Sequence, residues 1–217
     1  MSDPAVLESF VGKWRARWPE WSIAEVFVPE SQRSTALAWF ALLQELTDAA
    51  WSGDDPTPGL AKLAWWQEEL QGWSQGRRRH PLGVALQLHS APWKALSAAL
   101  VELRTLRVSP QEIGDGFVGI RSFADAVSGV EAVLFGLKES STSEIVAAAL
   151  LAMHPALLQS NGTHLRTSLL SQWPSGRGPR VRRIAMALAR ARLESDTPSQ
   201  PLSRWRALWL AWRSARD

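Results

Sequence analysis

Apolar side chains recur at spacings of three and four along nearly the whole chain, with polar residues between them. This spacing predicts amphipathic α-helices, because it places the apolar side chains on one helix face. The clearest stripe lies between positions 31 and 51, at Ala36, Trp39, Phe40, Leu43, Leu46 and Ala50. A second stripe follows between 59 and 73, at Leu60, Leu63, Trp66, Leu70 and Trp73. No segment alternates apolar and polar residues for long enough to predict a β-strand.

Proline, glycine and short polar runs divide this pattern into about nine to eleven predicted helices. Pro110 is expected to open a helix that the glycines at 114, 116 and 119 interrupt, before a separate helix over 123–137. The sequence shows no internal repeat, low-complexity tract or linker. We therefore predict one all-α domain over residues 1–217.

The composition allows a core that needs no covalent or metal support. Of the 217 residues, 46% are hydrophobic, and the absence of cysteine excludes disulfides, thiolate metal ligands and a cysteine nucleophile. The first residues do not resemble a signal peptide. The longest apolar run, over 145–158, is too short to cross a bilayer. Arginine outnumbers lysine, a bias that GC-rich genomes also produce. The absence of cysteine agrees with a cytosolic location, and we expect a bacterial, cytoplasmic protein, with peripheral contact at the inner membrane as the alternative.

Positive charge is concentrated at the end of the chain. Residues 177–217 contain ten arginines and three acidic residues, although the whole chain has a net charge of only +3. The last predicted helix places Trp205, Trp209 and Trp212 at helical spacing among arginines. We expect this amphipathic basic helix to close the bundle, and docking on a membrane interface is the alternative. No nucleic-acid-binding motif is present, so a nucleic-acid partner is not expected.

Several segments carry a recognisable order of motifs. Phe27-Val28-Pro29 comes first, followed by Arg33 and by a predicted helix at 36–46 with the sequence Ala-Leu-Ala-Trp-Phe-Ala-Leu-Leu-Gln-Glu-Leu. The next motif, at 62–70, reads Lys-Leu-Ala-Trp-Trp-Gln-Glu-Glu-Leu, and His80-Pro81-Leu82 follows it. This order resembles the squalene/phytoene synthase family, and the segment 123–136 is similar to a later helix of that family. The resemblance implies an isoprenoid-synthase-like helical bundle that encloses an apolar cavity.

The resemblance also implies a chemistry for which residues are missing. Active family members join two prenyl diphosphates, using Mg²⁺ ions held by two D-x-x-x-D motifs. The first motif falls at 47–51, where only Asp48 remains, with Glu45 one turn earlier. The second falls within 154–173, which contains no acidic residue.

We therefore interpret the chain as a divergent member without prenyltransferase activity, similar to the branch that includes a mitochondrial assembly factor for respiratory complex I. No catalytic residue, metal ligand or cofactor is assigned. The expected role is contact with a protein partner or with an isoprenoid or other lipid ligand. The alternative is an active Mg²⁺-dependent prenyl transferase of isoprenoid biosynthesis, with an unrecognised second metal site.

Five residues are candidates for contact with a ligand in the cavity: Arg33, Glu45, Asp48, Trp65 and Glu69. Glu45 and Asp48 share a helix face and are either remnants of a cation or polar-ligand site or members of a solvated, ion-paired face. Arg33 is expected to pair with one of them, to contact an anion, or to form a surface salt bridge. Trp65 faces either the cavity or a neighbouring helix, with core packing favoured, and Glu69 is expected to face the same space.

Overall fold

A computed structural model describes residues 4–107, 110–136, 143–159, 162–176 and 178–216, and these residues form helices and no strand. The described residues contain twelve α-helices rather than the nine to eleven predicted, because three of the twelve are single turns. None of the described helices is long and apolar enough to cross a lipid bilayer. The helices are α1 Pro4–Arg17, α2 Trp21–Ala24, α3 Glu30–Trp51, α4 Pro56–Trp73, α5 Gly83–Leu86, α6 Trp93–Leu103, α7 Ile113–Leu134, α8 Ser143–Leu151, α9 Pro155–Leu158, α10 Thr163–Ser171, α11 Arg180–Leu193 and α12 Arg204–Arg216, with 3₁₀ helices at Glu25–Phe27 and Thr105–Arg107.

Helix α3 is the centre of the bundle. Fourteen of its 22 residues are buried, including the whole predicted stripe, because α1, α4 and α5 pack around it. Its last carbonyl groups are satisfied by Arg107, which donates to Ala50 O at 3.0 Å and to Ser52 O at 3.1 Å. Helix α4 approaches α3 at Gly59, where a Cβ atom would lie only 2.2 Å from Ala49 O.

Helices α6, α7 and α8 form a second group of packed neighbours. The predicted break in α7 is wrong, because one continuous helix runs through all three glycines. Two of them lie at close contacts: a Cβ at Gly119 would approach Leu106 to 2.9 Å, and one at Gly116 would approach Leu151 to 3.2 Å. The glycines thus allow neighbours to pack against α7 instead of ending it. The predicted helix end at 137 lies outside the described residues.

Helix α12 packs against α11, α2 and the 3₁₀ helix Glu25–Phe27. Its buried residues are Ala207 and Ala211, whose small side chains allow close approach of the neighbouring helices. The three tryptophans of α12 are exposed. Helix α12 therefore packs on the bundle as predicted, but it does so through its alanine face, and its aromatic face is turned outward.

Candidate functional site

Glu45 and Asp48 lie one turn apart on α3, and each carboxylate faces a cation on a different neighbouring helix. Glu45 Oε2 is 2.6 Å from Lys62 Nζ on α4. Asp48 Oδ1 accepts a hydrogen bond of 2.6 Å from Arg17 Nη1 at the end of α1. Both carboxylates are therefore already neutralised by charge-assisted contacts within the protein.

Asp48 opens into a cleft of about 400 Å³ between α3 and the later helices. This volume lies within the usual range for small-molecule sites. The wall opposite α3 is mostly apolar, and Asp48 is the only carboxylate among the described residues that line the cleft. These residues are Arg17, Trp18, Thr47, Asp48, Trp51, Ser52, Ala152, Met153, Pro155, Leu158, Gln159, Ala189, Arg192, Pro198 and Ser199.

A second, smaller void adjoins the cleft, since Trp18, Met153 and Ala189 line both. Its volume is only about 30 Å³, because aromatic side chains of α1, α2 and α3 and the guanidinium group of Arg182 occupy the interior. Trp14 stacks on Phe40 with 5.5 Å between ring centroids, and Trp21 meets both rings edge-on. This space corresponds to about one water molecule, so it cannot hold a prenyl tail.

Arg33 contacts backbone carbonyl groups rather than either candidate carboxylate. Its Nε donates to Val28 O at 3.1 Å, and its Nη2 donates to Val26 O at 3.2 Å. These carbonyls lie in and just after the 3₁₀ helix Glu25–Phe27, where the helix leaves acceptors unsatisfied. Arg33 therefore fixes the chain segment that leads into α3, and it lies away from the cleft.

Glu69 is buried at the end of α4 and organises the turn that follows. It accepts hydrogen bonds from the backbone N–H groups of Arg79 and His80, both at 2.7 Å, from Trp73 Nε1 at 2.8 Å and from Arg79 Nε at 3.0 Å. Burial raises the pKa of Glu69, but the hydrogen bonds from His80, Arg79 and Trp73 outweigh it and hold the pKa below its ordinary value. The carboxylate is thus a structural anchor for this turn.

Three of the five predicted residues interact with His80, which the sequence indicated only as a helix-start residue. Trp65 contacts its ring, Glu69 accepts from its backbone N–H, and Glu45 acts on it through its charge. The imidazole lies among Trp65, Trp66 and Phe10, with ring centroids 5.8, 4.5 and 4.5 Å away. Burial lowers the pKa of His80 to about 4, although the charges of Glu45 and Glu69 act in the opposite direction. Arg79 covers the other side of Trp65, 5.4 Å from its ring centroid. Trp65 is therefore packed into an aromatic cluster away from the cleft.

The low pKa of His80 predicts a loss of stability in weak acid. His80 takes up a proton near pH 6.5 in the unfolded chain and only near pH 4 in the folded chain. The contribution of neutral His80 to the free energy of unfolding is therefore full above pH 6.5 and is lost as pH falls towards 4. Allowing for partial exposure of the ring, we expect a loss of roughly 1–2 kcal/mol. Urea unfolding at about pH 7, 5.5 and 4.5 measures this loss.

The matched variant is His80→Asn, whose side-chain oxygen can replace Nδ1 as the acceptor for the backbone N–H of Leu82. Burial also lowers the pKa of His154, but that residue is present in both proteins and cancels in the comparison. The variant should lose less stability than the parent between neutral and acid pH. Equal losses in the two proteins would contradict the assignment.

Two buried ion pairs were missed by the sequence analysis. Glu131 on α7 binds Arg182 on α11, with Arg182 Nε 3.0 Å from Glu131 Oε2, and Glu131 also accepts a 2.7 Å hydrogen bond from Trp39 Nε1. Glu20 pairs with Arg192 and accepts a 2.7 Å bond from the backbone N–H of Leu202. A signal was available for the first pair, because Glu131 stands four positions after Val127 on an otherwise apolar stripe.

The sequence matches no family model and no curated protein. Among solved structures, the chain is similar to squalene synthase HpnC from Alicyclobacillus acidocaldarius, with a TM-score of 0.51 and 20% sequence identity. The similarity covers 99% of this chain and 82% of the other. The chain has a squalene-synthase-like fold. The prediction of an all-α, single-domain isoprenoid-synthase-like bundle is confirmed, and at this identity the likeness shows the fold alone.

The residues present do not fit the Mg²⁺–diphosphate cluster that the resemblance to squalene/phytoene synthases implies. Mg²⁺ is held in proteins by one or two carboxylates together with phosphate oxygens in octahedral geometry. Glu45 and Asp48 are each paired with a cation, and none of the described residues on the facing wall of the cleft supplies a carboxylate. Within the described ranges, no three or more histidine or acidic side chains are grouped as metal ligands.

Proposed function

We propose that this protein does not transfer prenyl groups and acts by contact with a protein partner or with an isoprenoid or other lipid. We place it beside the divergent branch of the squalene/phytoene synthase family that includes a mitochondrial complex I assembly factor. The proposal rests on the interior of the bundle, where aromatic side chains leave only about 30 Å³ next to the cleft. A prenyl diphosphate needs an apolar channel for its tail and cations for its diphosphate, and the void of about 30 Å³ beside the cleft is too small for such a tail.

The two candidate carboxylates support the same proposal. An Mg²⁺ ion at Glu45 and Asp48 would have to compete with Lys62 and Arg17, each of which already contacts one oxygen of these carboxylates. The cleft itself remains able to contact a ligand. Trp51 contributes a buried indole N–H to its wall, and the described residues provide that group with no hydrogen-bond acceptor. A lipid head group that carries an oxygen acceptor suits this position.

The test is an assay for diphosphate release. Purified protein is incubated with Mg²⁺ and farnesyl or geranylgeranyl diphosphate, and released diphosphate is measured against the same mixture with EDTA. We expect no Mg²⁺-dependent release. The active alternative predicts release that disappears in Glu45→Gln/Asp48→Asn, and that result would overturn the proposal.

The double variant is expected to fold, because its ion-pair partners Lys62 and Arg17 are about half exposed and such pairs contribute little stability. Glu68→Gln is the matched control, since it removes an exposed carboxylate from α4 outside the cleft. An active enzyme would retain its turnover in Glu68→Gln and lose it in the double variant.

A further inference from the structure

The outer face of α12 exposes three tryptophans in a row. Trp205, Trp209 and Trp212 are 81%, 51% and 45% exposed, and their spacing of four and three places them on one side of the helix. The other ten tryptophans of the chain are buried or half-buried. Val26, on the 3₁₀ helix that α12 contacts, is also exposed. The Ala207 and Ala211 face already closes the bundle, so the fold does not explain the aromatic row.

The charges on this helix have one sign. Four arginines and no acidic residue occur within Arg204–Arg216. The guanidinium groups of Arg213 and Arg216 lie over Trp209 and Trp212, 5.3 and 4.6 Å from the ring centroids. Arg206 has Glu194 of α11 at 3.5 Å. The face therefore presents indole rings bordered by positive charge.

We propose that α12 docks on the surface of an anionic phospholipid bilayer. Tryptophan favours the boundary between head groups and acyl chains, because its ring is apolar and its N–H is polar. Arginines beside it are attracted to the negative surface potential, each by about 1 kcal/mol. A helix of 13 residues with these two features lies in the plane of the interface rather than across it.

A bilayer suits this face better than a protein partner. The three rings are spread over about 10 Å along one convex helix, so a protein would need a separate pocket for each ring, together with acidic groups between the pockets. A lipid surface supplies diffuse negative charge and accepts rings at any position. The proposal goes beyond the proposed function, because docking on lipid requires neither the presence nor the absence of prenyl transfer.

The test is co-flotation of the full chain with phosphatidylcholine vesicles that contain or lack phosphatidylglycerol. We expect binding to the anionic vesicles that weakens with added salt, and little binding to the neutral ones. Trp205→Ala/Trp209→Ala should reduce binding to anionic vesicles by roughly tenfold or more. Arg204→Gln/Arg213→Gln should do the same, at about fivefold for each arginine.

Matched controls come from parts of the surface outside α12. Leu88→Ala/Val118→Ala shortens two equally exposed apolar side chains elsewhere, and Arg77→Gln/Arg78→Gln removes the same charge from the turn after α4. Both should bind vesicles like the parent. All variants change exposed side chains, and an unchanged circular dichroism spectrum and melting temperature check that they fold.

Three results would overturn the proposal: no binding to anionic vesicles, equal binding to neutral vesicles, or binding that survives the tryptophan replacements. Self-association of the parent, lost in Trp205→Ala/Trp209→Ala while vesicles remain unbound, would assign the face to a protein contact instead. These outcomes are independent of the diphosphate assay, which tests for prenyl transfer at the cleft and does not depend on α12.

Discussion

Replacing Arg182 by methionine is expected to lower the free energy of unfolding by about 3–5 kcal/mol. The guanidinium group and the Glu131 carboxylate are 2% and 0% exposed, and they form a two-pronged ion pair between α11 and α7. Without Arg182, the Glu131 carboxylate keeps the hydrogen bond from Trp39 Nε1 but loses its charged partner. An uncompensated buried charge costs more than the lost contact alone. Urea unfolding at neutral pH measures the change.

A second substitution separates the charge from the packing. In Arg182→Met/Glu131→Gln the buried charge is gone, while the amide oxygen of glutamine can still accept from Trp39 Nε1. We expect the double variant to be more stable than Arg182→Met by at least about 1–2 kcal/mol. If the double variant were equally unstable, loss of the guanidinium contact with the Phe40 ring would explain the effect, and the buried-charge interpretation would fail.

Replacing Glu69 by alanine is expected to cost about 3–5 kcal/mol, because four donors lose their acceptor together. These are the backbone N–H groups of Arg79 and His80, the indole N–H of Trp73 and Arg79 Nε. Thermal and urea unfolding measure the loss. Amide hydrogen exchange should also rise at Arg79 and His80, because the turn after α4 is held mainly by this carboxylate.

The neighbouring residue provides the control. Glu68 stands beside Glu69 on α4, but its side chain is 74% exposed and lies 3.7 Å from Arg79 Nη2. Glu68→Ala is expected to change stability by less than about 0.5 kcal/mol. Similar costs for the two substitutions would mean that charge on α4, rather than the buried hydrogen bonds, stabilises the turn.

The stripes of α3 and α4 were predictable because a helix needs only local spacing to define its buried face. Trp39 and Trp66 were assigned correctly on this basis, and both are buried. The break in α7 was predicted incorrectly for a related reason. Gly116 and Gly119 lower helix propensity locally, but Leu151 and Leu106 occupy the space they leave, and that contact is invisible along the sequence.

For the candidate site residues too, the sequence predicts the shared helix face and only the tertiary structure shows the partners. Glu45 and Asp48 were recognised as one helix face, yet their partners Lys62 and Arg17 come from two different helices. Trp65 and Glu69 were placed near each other, but the group at which they meet, His80, is on another segment. Arg33 was expected to pair with Glu45 or Asp48, to contact an anion or to form a surface salt bridge, and it contacts backbone carbonyl groups. Spacing in the sequence fixes which residues share a face and leaves open what faces them.

By itself, the sequence determined that the protein is all-α and where its main helices carry their apolar stripes, because 3.6-residue periodicity is a local property. It also shows that residues 154–173, where the resemblance places the second acidic motif, contain no carboxylate. Only the tertiary structure decided that aromatic rings fill the interior, that Glu131 and Arg182 pair across it, and that α12 turns alanine inward and tryptophan outward. These features depend on which helices meet and at what distance, and that is set by packing between segments far apart in the chain.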